Sequence, residues 1–237
     1  MPPTAPATAL PPPSPPPAPP PPPRIANPVP RPEGGAPPAD ADAFAKHALD
    51  ELFGRKGARG FLRLDGVIHR FVATVNNLAT DDAPADLWPV NRTPGAFQTE
   101  ARDGATVIAA SNAARYQPFV RFATAFDTKR AVALYTRLYP LLQRGYEELG
   151  FPGKYLNDRV VQVIDDLLAT PKVTGPLRVQ RVEPDGGGTV LYLFADAGLE
   201  SASAGQKILL RMGPENAAPL MAKLAEIRQL IAAAPHH

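Results

Sequence analysis

The chain has 237 residues, 31 of them proline, and its 25 Lys and Arg against 23 Asp and Glu leave a formal charge of +2. It has no cysteine, which excludes disulfides, thiolate zinc sites, iron–sulfur clusters and cysteine nucleophiles. No basic cluster or Arg-rich arm points to nucleic acid, and no apolar run approaches the roughly 18 residues of a membrane span, so the chain as given reads as soluble.

Nineteen prolines fall within residues 1–40. Proline fixes φ and removes the backbone donor, so residues 1–39 read as a disordered proline-rich spacer that forms neither helix nor sheet ladder. In polyproline II at about 3.1 Å per residue, such a stretch reaches on the order of 100 Å. Its nearly uncharged composition suits a stiff spacer better than a ligand for an SH3- or WW-like groove.

The folded body, expected to be one domain over residues 40–235, opens at Asp40–Asp42. These acids suit the start of a helix carrying Phe44, Leu49, Leu52 and Phe53, which stops at Gly54. The Gly-punctuated "RKGARG" reads as a break. A second helix is expected from about Asp65, with Val67, Ile68, Phe71, Val72, Val75 and Leu78 at helical spacing. "DDAPADLWPVNRTPGAF" reads as an irregular connection that Trp88 pins to the core. "FQTEARDGATVIAA" is a hairpin turning at Asp103-Gly104, and "QPFVRFATAF" a short helix.

Asp127 caps the longest helix, which Pro140 is expected to kink and Gly150 to stop. Tyr135, Tyr139 and Tyr146 recur on one of its faces, as core edge or as a partly open groove. Asn157 or Asp158 is expected to cap the next helix, which ends at Thr170-Pro171. Arg159 in its first turn opposes the helix dipole and calls for an acidic partner or a ligand. "LRVQRV", the turn "EPDGGG" and "TVLYLFA" form a second hairpin. In "SAGQKILLRMGPENA", Gly205 permits a close approach of backbones, Gly213 turns the chain, and Pro214 starts the last helix. The fold class is α+β, predominantly α-helical, with five or six helices and two short hairpins.

Complete catalytic sets are missing from the pattern. His47 and His69 are the only histidines of the body and make no His-Glu-x-x-His, His236 and His237 read as terminal or tag residues, and "PDGGGT" lacks the Lys-Ser/Thr of a P-loop. No metal, cofactor or catalytic residue is therefore assigned. Lys207 and Arg211, four apart on one helical face, would hold a carboxylate. If that carboxylate is internal, with Asp158 or Glu215 the candidates, the cluster is structural; if external, it is a site. The candidate ligand-binding set is Tyr139, Tyr146, Asn157, Asp158, Arg159, Gln206, Lys207 and Arg211.

"YTRLYPLLQRGYEELGFPGKYLNDRVVQVIDDLLATP", "YLFADAGLESASAGQKILLRMGPENA", "IHRFVATVNNLA" and "ARYQPFVRF" together resemble the bacterial family known as domain of unknown function 3014, over about residues 42–232. The resemblance implies a periplasm-facing envelope setting, with an amino-terminal membrane helix that this sequence does not contain, and it brings no assigned activity. The expected function is a non-enzymatic envelope binding or scaffolding module on a proline-rich spacer, its partner another envelope protein or a cell-wall component. The membrane enters only through that missing anchor. Two alternatives stand beside it. One is an envelope-polymer hydrolase using a carboxylate pair such as Asp158 with Asp165; the other is an adaptor whose proline tail is itself the ligand. On the first reading, Arg211→Ala abolishes partner capture and leaves the fold intact.

Overall fold

The structure, a computed structural model, describes residues 25–30, 40–183 and 190–232. Most of the expected spacer and residues 184–189 of the second hairpin's turn lie outside the described residues, as do residues 233–237.

Helix α1 (Ala41–Phe53) starts where expected, because the Asp40 side chain accepts the N–H of Ala43 at 2.9 Å. The expected break at "RKGARG" is instead helix α2 (Arg55–Phe61). Two internal glycines oppose a helix there, but packing overrides them. Ala58 is fully buried, and the Phe61 ring stacks on Phe122 with centroids 4.6 Å apart. Helix α3 (Val67–Leu78) follows Gly66, whose left-handed conformation (φ 63°) places its N–H against Asp42 Oδ2.

Strands β1 (Thr99–Arg102) and β2 (Ala105–Ile108) pair antiparallel about Asp103 and Gly104, both at positive φ, as a two-residue hairpin requires. Helix α4 (Gln117–Thr124) carries Phe119 and Phe122 to α2. Helix α5 (Thr128–Glu148), capped by Asp127, runs through Pro140 without ending there.

Helix α6 (Leu156–Leu168) begins earlier than expected and for a different reason. Its N-cap is Tyr155, which makes no side-chain cap. The free N–H groups of Leu156 and Asn157 are taken by α5, through Gln143 Oε1 at 2.8 Å and the Tyr139 hydroxyl at 3.1 Å. Asn157 and Asp158 are thus inside the first turn and free for other partners. Tertiary contact does here what a local cap does elsewhere.

Strands β3 (Val179–Val182) and β4 (Leu191–Phe194) form the second hairpin. A bridge between Val107 and Arg178 ties it to the first, and Ile108 donates to the carbonyl of Leu177 at 2.9 Å. Short helix α7 (Ala197–Glu200) leads to α8 (Ala204–Met212) and α9 (Pro214–Ile231). Gly213, at φ 83°, makes the corner between them, with Pro214 at the first helical position. Buried Asn216 stitches that corner by donating to the carbonyls of Met212 and Ala113.

The main core lies among α3, α5, α6, α8 and α9, around Val72, Leu142, Leu156, Ile164 and Leu209. A small satellite core of Val179, Phe194 and Leu210 lies between the second hairpin and α8. The result is α+β dominated by helix, with more helices among the described residues than expected.

Residues Ile25–Pro30 depart from the spacer reading, because they lie against the body. Their backbone reaches the first turn of α6, and Val29 packs on the main core.

Candidate functional site

The eight residues singled out in the sequence divide between separate places. Tyr139, Asn157 and Asp158 meet at the start of α6. Asn157 is fully buried; it accepts the Tyr135 hydroxyl at 2.9 Å and donates to the carbonyls of Ile231 and Asn27, each at 2.9 Å. Asp158 is half-buried and turned to the amino-terminal segment. Its two oxygens accept N–H groups from Ala26 and Asn27.

The tyrosines of α5 form core rather than an open groove. Tyr139 and Tyr146 are buried, and Tyr146 stacks on Phe151 at 4.7 Å. Burial, the first cause in each case, pushes the Tyr135, Tyr139 and Tyr146 hydroxyls above the usual phenol range.

Among the described residues, Arg159 has neutral oxygens as its hydrogen-bond partners. It donates to Gln162 Oε1 at 2.8 Å and to the carbonyl of Asn76 at 2.7 Å, in the last turn of α3, where a cation is favoured. Gln206 turns to α6 and donates to the Asp166 carbonyl at 2.7 Å.

Lys207 and Arg211 do share a face, and the carboxylate between them and β4 is Glu200. Neither Asp158 nor Glu215 fills that role. Glu200 Oε1 lies 3.2 Å from Lys207 Nζ, and Oε2 accepts the N–H of Phe194 at 2.7 Å. Arg211 donates to the carbonyl of Tyr192 at 3.0 Å, with its guanidinium 4.8 Å from the centroid of the Phe194 ring.

The strand register explains this arrangement. Ala195 donates to Arg178, so the backbone groups of Tyr192 and Phe194 point away from β3, toward the open edge of the sheet. Glu200 takes one donor of that edge and Arg211 one acceptor, and together they blunt it with charge. Burial pulls the Arg211 pKa below the ordinary arginine value, with Glu200 opposing that shift.

Beside this seal lies a hollow of about 380 Å³. Trp88, Phe97 and Tyr192 give it aromatic wall, Asp81 and Asp82 stand on one side, and Glu200, Lys207 and Arg211 on another. Of the eight sequence candidates only Lys207 and Arg211 line it. The Phe97 and Tyr192 rings lie 5.1 Å apart, and the Trp88 indole donates to the Ala83 carbonyl at 3.0 Å, bracing the loop that carries both acids. Leu191 and Leu193 add exposed apolar surface at its rim.

Sequence reasoning missed Glu200, Asp81, Asp82, Phe97 and Tyr192. One signal was available: in "LYLF" both alternating faces are apolar, more than a solvated strand needs. A second space, of about 320 Å³, lies among α3, α5, α6 and α9. Its walls are almost wholly hydrocarbon, and its Tyr135 and Thr74 hydroxyls already donate to Asn157 and Leu87.

Among the described residues, no helix is long and apolar enough to cross a membrane, and no group of three His, Cys, Asp or Glu could hold a metal ion. The carboxylates considered as an acid and base pair are both engaged. Asp158 holds residues 26 and 27, and Asp165 is ion-paired with Arg228, whose Nη2 lies 3.0 Å from Oδ2.

Fold and hollow define a helical α+β body with a ligand-sized cleft. The family described as Protein of unknown function (DUF3014) matches residues 67–228, well over half of the chain, and the chain belongs to it. The match spans α3 to most of α9 and so contains every residue of the hollow. No curated protein and no solved structure matches.

Proposed function

We propose that this chain is a non-enzymatic module of the cell envelope that holds a cell-wall component in the Trp88–Tyr192–Arg211 hollow, with a proline-rich segment spacing the body from its point of attachment. The observation that carries this reading is the hollow's composition. Aromatic faces suit sugar rings and apolar side chains, while acids and bases side by side suit a polymer bearing both amines and carboxylates. Lys207 and Arg211 are held in place by Glu200 and Tyr192, so they present oriented donors without reorganisation. Binding is favoured over hydrolysis because Asp158 and Asp165 each serve an internal partner.

The test is co-sedimentation with purified cell-wall sacculi. The wild-type chain should pellet, and Leu193→Asp, at an exposed rim position, should remain in solution with an unchanged melting temperature. Equal behaviour of the two chains would remove the hollow from the account.

A second reading, in which the hollow seats another envelope protein, draws on the exposed Leu191 and Leu193 pair. It predicts no sacculus binding. A photo-crosslinking residue at position 193 would then capture a protein that the same residue at exposed position 133 does not.

A further inference from the structure

We propose that the start of α6 is a peptide-binding site for an extended Asn-Pro-x-Pro segment, occupied in the resting chain by its own residues Ile25–Pro30. This site is separate from the hollow and does not depend on it. Recognition here is by backbone. Asp158 Oδ2 accepts the N–H of Ala26 at 3.1 Å, and Oδ1 accepts the N–H of Asn27 at 2.6 Å. The Tyr155 hydroxyl accepts the N–H of Val29 at 2.9 Å, and Asn157 Nδ2 donates to the carbonyl of Asn27 at 2.9 Å.

Prolines occupy positions 28 and 30, so the stretch Ala26–Pro30 carries three backbone N–H groups, and the body takes all three. Side-chain identity is read twice. Asn27 Nδ2 donates to Asp158 Oδ1 at 3.0 Å, and Val29 packs on the main core. The prolines hold the segment extended before it binds, which lowers the entropy lost on docking.

The receptor is built independently of its occupant. Asn157 is fixed by Tyr135 and Ile231, and Tyr155 packs on Tyr139 with centroids 5.3 Å apart. The occupant is held lightly by comparison. Ile25, Ala26, Pro28 and Pro30 are exposed, and nine residues separate Pro30 from Asp40. Because the arm belongs to the same chain as the site, it competes with any equivalent segment arriving in trans.

The experiment uses the full chain and a fluorescein-labelled peptide of residues 24–31. In Asn27→Pro/Val29→Pro the arm loses two of its three N–H donors and the Asn27 amide but remains an extended chain. The peptide should bind this variant at least tenfold more tightly than the wild type, whose own arm blocks the site. Adding Asp158→Asn, which turns one acceptor into a donor, should abolish that binding. Tyr155→Phe, which loses the acceptor for Val29 together with the hydrogen bond between the Tyr155 and Tyr139 hydroxyls, should weaken it several-fold, and circular dichroism should show each variant folded. Peptide binding that is absent, that is equal in wild type and arm variant, or that survives Asp158→Asn would overturn the site.

Discussion

At the scale of single residues, the molecule turns on small groups in crowded places. Gly205 lies where α8 crosses α3 and α6. A methyl group added there would run into Leu167 and come within 3.0 Å of the Leu78 carbonyl oxygen. Gly205→Ala should therefore cost about 1–3 kcal/mol through overpacking, read as a lower denaturant midpoint, despite the better helix propensity of alanine. Tyr135 and Tyr139 make a second case. Burial raises both hydroxyl pKa values above their unfolded value of about 10. A raised acid pKa means that the folded state keeps its proton while the unfolded state releases one. Stability from these groups is thus fully present below about pH 10 and falls as pH rises beyond it. Denaturant melts at pH 8 and pH 11 should show that loss, and Tyr135→Phe/Tyr139→Phe should lessen it. An unchanged pH response in the double variant would contradict the assignment.

Among elements, the β4 edge shows most clearly how the parts depend on one another. The sequence alone makes Arg211 a free donor whose removal spares the fold. The structure makes it the group that satisfies the outward carbonyl of Tyr192 and covers the Phe194 ring. Arg211→Ala should accordingly destabilise the protein, by about 1–3 kcal/mol, because it leaves a half-buried carbonyl unpaired. A melting temperature unchanged by Arg211→Ala would show that the edge needs no such tie. Element positions were largely legible beforehand. The Asp40 and Asp127 caps, the Asp103-Gly104 turn and the Gly213-Pro214 corner are local signals, and each stands where it was read. The misses are non-local. Helix α2 exists because Phe61 finds Phe122 across some sixty positions of chain, and α6 starts at Leu156 because Gln143 and Tyr139 supply acceptors. Periodicity within one segment does not show which side chain of another segment will meet it.

For the molecule as a whole, the site was legible in part. Lys207 and Arg211 were found from their spacing, but the acid that holds them was not, because Glu200 reaches them only once α7 turns the chain. Trp88 pins its loop, as the sequence suggests, through its hydrogen bond to Ala83, while its ring also lines the hollow. The sequence reads residues 1–39 as one disordered spacer, yet Asn27 and Val29 interrupt the proline run where the chain meets the body. Polar and branched residues between prolines were the available signal, and their meaning required Asp158 and Tyr155.

Trp88 is the only tryptophan of the chain, so its emission reports on the hollow alone. Titrating the full chain with solubilised cell-wall fragments should give a saturable change in that emission, lost in Leu193→Asp. An emission spectrum that stays constant through the titration, while the chain still pellets with sacculi, would place the grip elsewhere on the molecule and contradict the account.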